Sequence, residues 1–530
     1  MKEVRLRRYH APAYDEQIIM EMGQKGQRGI IPPQADPQIA KRVGPADKLV
    51  PGKMLRRKPP ALPEIDQYHV LSHFLRLSQM TLGMETGTDI SEGTCTMKYS
   101  PKMHEQLVRM PQVTDVHPLQ PEDTIQGILE IAWKLRGFLN EISGMSEFSF
   151  QTGGGAHATY LNACVVRRYH ESRGELDRRT EMITTQFTHP CNAATPATAG
   201  FKVIILPHRK GYPDLDALKA VVGEHTAGIH MTNPEDTGIY NPRVREFTDI
   251  VHEAGGLCFY DQANANGLLG IARALEAGFD ACHFNLHKTF SSPHGCEGPA
   301  SGAYGCTERL APFLPVPVVT ERAGGYHLDY DRPQSIGKMR SFFGNLQCVI
   351  RAYAWILSMG AEGLKSAAEI SVINNNYLEK LLLQIPGITH PYAEGRRRFE
   401  QVRYSMQELK EQTGFGSHDI QDRMVDFGIQ SYWLSHHPFV VPEPFTPEPC
   451  ETYSKEDLEY WAAVIEQACR EARENPELIR TAPHNQAVGK IKDFSAADDP
   501  ESWAITWRGF QRKRRAAGGG APRPSADSTA

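Results

Sequence analysis

Between residues 182 and 285, short apolar runs rich in β-branched and aromatic side chains alternate with amphipathic stretches. The runs MITTQF (182–187), KVIIL (202–206), AGIHM (227–231), LCFYD (257–261) and ACHFN (281–285) read as strands. Between them, LDALKAVVG (215–223) and PRVREFTDIVHEA (242–254) place apolar residues at helical spacing. The repeating unit is β-α-β, which predicts an α/β fold with a parallel sheet covered by helices. Upstream, SFQTGGGAHATYLNACVVRRYHE reads as a strand, a glycine-rich turn at 153–155 and a helix. Past about residue 340 the pattern changes to longer helices, one through LQCVIRAYAWILSMG and another through EGLKSAAEISVINNNYLEKLLLQI. A further helix, SKEDLEYWAAVIEQACREA, opens with a capping-box variant, Ser454 followed three residues later by Asp457.

The two ends lack such periodicity. Residues 1–66 are rich in Pro, Gly and basic side chains and read as an extended arm. The expected layout is that arm, a large domain over 67–335, a small C-terminal domain over 336–490, and a tail over 491–530 that is disordered at its end. Across 530 residues, 40% hydrophobic and 23% charged positions exclude wholesale disorder, collagen and disulfide scaffolds. A net charge of −5 gives no global basic field, so no nucleic-acid partner is expected beyond what RKRR at 512–515 suggests. The first residues lack the apolar core of a secretory signal, and no run reaches the ~20 apolar residues that span a bilayer. A soluble cytoplasmic protein is expected, with no membrane partner. The ten cysteines show no CxxC and no paired ligand spacing, which predicts reduced thiols and no metal site.

Candidate chemistry sits at the strand ends, where open α/β sheets bind ligands. LCFYD ends in Asp261, and 27 residues later NLHKTFSSPHG places Lys288 just beyond the next strand. An acid and a lysine on neighbouring strand ends are what a pyridoxal phosphate (PLP) site needs: the lysine forms a Schiff base, and the acid keeps the pyridine nitrogen protonated. The turn through Gly154, Gly155 and Ala156 opens a helix, and free N–H groups at a helix start attract phosphate. After MITTQF, the segment FTHPCNAATPATAG offers His189 and Asn192 at another strand end. An imidazole there can stack on the pyridine face, and His157 competes for that role. Thr232, just after the 227–231 run, and His287, beside Lys288, complete the candidate set. The order phosphate turn, acid, lysine is more specific than any single member.

At this point the chain resembles a family, the glycine-cleavage P-proteins (glycine dehydrogenase, decarboxylating), and within it the lysine-bearing subunit 2. The similarity runs from about 65 to 490 and includes RLSQMTLGMETG (76–87), GTCTMKYSPKMHE (93–105), TNPEDTGIYNP (232–242), NLHKTFSSPHG (285–295) and VVPEPFTPEPCETYSKEDLE (440–459). The resemblance implies a fold-type I, aminotransferase-like PLP enzyme with a smaller C-terminal α+β domain. It implies Lys288 as the Schiff-base lysine, Asp261 as the pyridinium partner and His189 as the stacking ring. It also implies glycine as a small amino-acid substrate, transfer of its aminomethyl carbon to the lipoyl arm of H-protein, and a homologous subunit 1. Lys98 and Tyr99 are site residues by resemblance only. Arg340 and Arg351 are candidates for the substrate carboxylate, against the ordinary use of arginine in helix-surface ion pairs.

The chain also departs from the family pattern. The glycine run after the lysine reads HGCEGPASG, which puts Cys296, Glu297 and Ala300 where the backbone is normally bare. Gln262 follows Asp261 where the family carries Gly, and the late His-Pro-Pro-Thr segment reads Gly428-Ile429-Gln430-Ser431-Tyr432. The alternative these departures raise is a diverged PLP-dependent decarboxylase or lyase acting on a different amino acid or amine.

Overall fold

The computed structural model describes residues 4–31, 33–58, 60, 62–83, 98–293, 300–392, 395–429, 440–490, 506–516 and 518. The chain divides into two compact units, Met1–Arg7 with Thr88–Arg480, and Arg8–Gly87 with Thr481–Ala530.

The first unit is built on a seven-stranded sheet. Its strands are β1 (Glu147–Thr152), β2 (Glu181–Thr185), β3 (Lys202–Leu206), β4 (Thr226–Thr232), β5 (Leu257–Gln262), β6 (Ala281–Asn285) and β7 (Gly302–Cys306), in the spatial order β1-β7-β6-β5-β4-β2-β3. All five predicted runs are strands. The expectation of a wholly parallel sheet needs correction: β7 runs antiparallel to both β6 and β1, while the remaining neighbours are parallel. The sequence GAYGC hides this strand because two of its five residues are glycine. Packing explains them: a Cβ at 305 would overlap the Phe148 ring, and one at 302 would lie 2.6 Å from Thr152 Oγ1.

Why the central runs are apolar at every position follows from the two cores. Cys258 and Tyr260 of β5 face one core, with Phe284 of β6 and Trp355, whereas Leu257 and Phe259 face the other, with Tyr304 of β7. Helix α1 (Gln126–Ser143) covers the first face and α2 (Gly155–Ser172) the second. Each fully buried side chain of this kind contributes about 1.5–3 kcal/mol, so truncating Phe259 would cost roughly 3–5 kcal/mol. Two further helices join strands: α3 (Cys191–Thr198) follows β2, and α4 (Val244–Glu253) precedes β5.

The two long helices predicted past residue 340 form one run, α5 (Leu346–Leu382), interrupted at Gly360, whose φ of 64° no helix accommodates. Val349 and Trp355 on its first part belong to the sheet core; Leu378 and Leu382 on its last part belong to a separate core with Tyr404, Phe445 and Trp461. Helix α6 (Lys455–Glu474) carries Trp461 and opens with the expected box. Ser454 Oγ accepts from Asp457 N–H at 3.2 Å, and Asp457 Oδ2 accepts from Ser454 N–H at 3.0 Å.

In the second unit, helix Gln67–Gln79 starts on an Asp66 cap, and Glu16 accepts hydrogen bonds from His73 and Arg76 of that helix. The basic cluster of the tail, expected in a disordered segment, lies in helix Trp507–Ala516; residues 519–530 lie outside the described residues. Among the described residues no helix is long and apolar enough to cross a membrane.

Candidate active site

The parallel register places three side chains abreast at the carboxyl ends of the central strands: Thr232 of β4 pairs with Asp261 of β5, and Asp261 pairs with His283 of β6. Asp261 is 4% exposed. Its Oδ2 accepts from Asn192 Nδ2 at 2.6 Å, its Oδ1 accepts from Ala263 N–H at 3.1 Å, and His283 Nε2 lies 3.4 Å from Oδ1. Burial pushes this carboxyl up, but His283, the Asn192 amide, His189 and the Ala263 N–H together outweigh it and hold Asp261 below the usual carboxylate range. Asn192 is fixed in turn, since Nδ2 also donates to Thr188 Oγ1 at 2.7 Å and that hydroxyl pairs with Thr232 at 2.7 Å.

Lys288 follows β6 by three residues, is 4% exposed, and shares a cavity of about 510 Å³ with Asp261. The glycine turn forms another part of the wall. A Cβ on Gly155 would meet Asn285 Nδ2 at 3.0 Å and His283 Nε2 at 3.3 Å, so only a bare backbone lets α2 begin this close to β6. No side chain caps that helix, and Gly154, Gly155 and Ala156 line the cavity. Both competing histidines are there too. His157 Nδ1 accepts from Gly153 N–H and His189 Nδ1 from Cys191 N–H, each at 3.1 Å, which leaves the other ring nitrogen of each to carry the proton when neutral. His287 is held by a ring nitrogen 3.0 Å from the Ser301 carbonyl. Of the nine predicted positions, eight line the cavity and Asn192 stands behind Asp261.

No family model matches the chain. A probable glycine dehydrogenase (decarboxylating) subunit 2 from Thermococcus onnurineus is 42% identical over 501 residues, 94% of this chain and 97% of that protein. The chain belongs to the glycine dehydrogenase (decarboxylating) subunit 2 family. A second relative of that name, from Caldanaerobacter subterraneus, is 41% identical over 92% of this chain and 98% of its own length. Among solved structures, an inhibitor-bound glycine decarboxylase (P-protein) of the glycine cleavage system superposes with a TM-score of 0.69 at 19% identity, covering 83% of this chain and all of that one. That likeness bears out the expected fold-type I architecture.

Glycine dehydrogenase subunit 2 membership raises the question of whether these residues suit PLP. Four observations say they do: an uncapped start to an 18-residue helix, a cradle at Gly155 that a Cβ would crowd, a carboxylate kept ionised at a strand end, and a buried lysine in the same cavity. Asn285 Oδ1 and Asn192 Oδ1 are buried without a hydrogen-bond partner, leaving acceptor capacity beside the cavity.

Other expectations fare differently. Arg351 grips Glu105 through two bonds of 2.7 and 3.0 Å, and Lys98 pairs with Glu451 at 2.8 Å while lying 4.8 Å over the Trp355 ring. Both cations are therefore spent inside the fold. Tyr99 is 55% exposed, and Arg340 approaches Gly153 without lining the cavity. Gln262 is buried away from it, Ala300 lines it, and Cys296, Glu297 and 430–432 lie outside the described residues. Sequence reasoning missed His283, Asn264, Glu400 and Glu448, all on the cavity wall. The glutamates sit in RRRFEQ and FTPEPCE, whose charges read as surface; their burial at 2% and 1% exposure becomes visible only in three dimensions.

Proposed function

We propose that this chain decarboxylates glycine with PLP and passes the aminomethyl carbon to the lipoyl arm of H-protein, working beside a homologous subunit 1. The names of the relatives, probable glycine dehydrogenases (decarboxylating), support the reaction. The observation that carries the reading is that Asp261, held ionised, opens into the same cavity as the buried Lys288.

PLP, when bound, supplies a conjugated ring that takes up the electron pair left as carbon dioxide departs. Lys288 would hold it through its amine, Asp261 would keep the proton on the ring nitrogen, and His189 or His157 would cover a ring face. The N–H groups of Gly154, Gly155 and Ala156, with His287, would hold the phosphate. Asn192 keeps Asp261 oriented by a direct bond and is itself held by the Thr188 hydroxyl, which pairs with Thr232; the chain's further task is to fix the substrate so that the breaking bond stands perpendicular to the ring. Among the described residues eight cysteines are free and seven of these are buried, which supports a reducing compartment, the cytoplasm.

The test is exchange of labelled bicarbonate into the carboxyl group of glycine, by this chain with its companion subunit and a lipoylated carrier. Exchange that disappears in Lys288→Ala is the expected result. No exchange in a PLP-loaded, paired complex would overturn the reading.

A further inference from the structure

One part of the cavity wall carries carboxyls that the reaction outlined above leaves unused. Glu400 lines the cavity, is 2% exposed, and has no hydrogen-bond partner at Oε2. Gly267 gives it room, since a Cβ there would lie 2.6 Å from Oε2. Glu448 lines the same cavity at 1% exposure, and its Oε2 accepts from Asn264 Nδ2 at 2.8 Å. The two therefore differ: an amide N–H is bonded to Glu448, while Glu400 is buried with nothing from a neighbour to favour its anion.

We propose that the substrate's ammonium group is received at this wall and that Glu400 takes one proton from it, with Glu448 as the fixed companion acceptor. The inference rests on the cavity being an amino-acid site. In this step an ammonium N–H bond breaks, its electron pair stays on nitrogen, and the proton forms an O–H bond on the Glu400 carboxylate. The substrate is left as the neutral amine, the form with a lone pair able to bond to carbon. When a disulfide carrier accepts the one-carbon fragment, one sulfur takes the carbon and the other leaves as a thiolate needing one proton. Glu400 returns the proton it took, so each turnover ends with the cavity as it began.

The surroundings suit such a store. Lys288, Asp236, Asp261 and Glu448 share the cavity, and Tyr260 of β5 feels the charge of Glu400. Asp236 is already paired with Arg403 at 2.5 Å, and Asp261 is served by Asn192. Burial pushes Glu400 up to about 7, and only its own backbone N–H works against that. An acceptor poised near neutrality exchanges a proton in both directions, which an ordinary exposed carboxylate does poorly.

The experiment uses the assembled, PLP-loaded complex and compares wild type with Glu400→Gln and Glu400→Asp. Bicarbonate exchange is followed against pH, and calorimetry measures binding of glycine and of acetate, which has the carboxylate but no amine. In wild type, kcat/KM should rise about tenfold per pH unit up to a break near 7. In Glu400→Gln that limb should vanish, exchange should fall about 100-fold, and glycine should bind at least tenfold more weakly, while acetate binding changes less than twofold; Glu400→Asp should restore part of the limb. Equal weakening of glycine and acetate, or an unmoved limb in Glu400→Gln, overturns the proposal. Absence of exchange in wild type instead overturns the reading of the reaction, so the two failures are distinguishable.

Discussion

Asp261 and Asp280 stand at opposite ends of neighbouring strands, Asp261 near the end of β5 and Asp280 just before β6. Both are buried, at 4% and 7% exposure, and each meets a histidine and a backbone N–H. Their remaining partners differ. Asp280 Oδ2 accepts from His252 Nε2 of α4 and from Cys258 N–H, both at 2.8 Å, while its Oδ1 accepts from the Arg309 guanidinium at 2.5 Å. The chain itself supplies that counter-charge. Asp261 has an amide, an N–H and a histidine at 3.4 Å, and among the described residues His283 is its one ion-pairing side chain. Its negative charge is stabilised without being neutralised, which leaves room for a cation from outside, such as a protonated ring nitrogen. Two buried aspartates thus differ in whether a guanidinium neutralises them. The same contrast explains His252, Cys258 and Asp280, whose ligand atoms lie within 4.8 Å of one another as a metal site would require. Arg309 already neutralises the carboxylate, and burial pushes the Cys258 thiol far from ionisation.

Breaking each aspartate in turn tests this division. Asp261→Asn keeps the shape and removes the charge; bicarbonate exchange should fall by roughly 10²–10³-fold, with the thermal midpoint little changed. A rate within threefold of wild type would mean that another group holds the ring proton. Asp280→Ala should do the reverse, lowering unfolding free energy by about 2–3 kcal/mol because His252, Arg309 and the Cys258 N–H lose a charged acceptor. Exchange per folded molecule should stay within about twofold, and a larger loss would show that Asp280 reaches the site.

The last effect concerns acid. His230 of β4 is fully buried, accepts from Asn162 Nδ2 at 2.9 Å, and is held down to about 3 by burial first, despite the attraction of Asp261. Its folded value lies below the unfolded value of about 6.5, so the folded state binds fewer protons. Stability from this group is complete above pH 6.5 and falls as pH drops toward 3, by up to about 1.4 kcal/mol per unit. Denaturant titrations of wild type and His230→Gln across that window should diverge; parallel curves would place the acid sensitivity elsewhere.

Much of this arrangement was readable beforehand for a physical reason. Strands β2, β4, β5 and β6 are largely apolar runs buried in the sheet, and Asp261 and Lys288 lie near the end of or follow such runs at the expected interval. What escaped has no local signal. β7 is written in glycines whose meaning is contact with Phe148 and Thr152, residues about 150 positions away in the chain. Glu400 and Glu448 look like solvated charges because the burial that changes their chemistry comes from distant segments. Arg351 takes the ion-pairing use weighed against carboxylate binding, and Lys98 is named by resemblance alone; their partners, Glu105 and Glu451, are visible only after folding.

The cavity wall runs from Gly153 to Glu448, and this sets an order in time. A growing chain emerges amino end first, and its domains tend to fold as they appear. The glycine turn, Asp261 and Lys288 have all left the ribosome before Glu400 and Glu448 are even synthesised. The lysine's part of the cavity is therefore synthesised before the wall that would discharge an incoming amine, and a chain cut short between the two would lack that wall altogether.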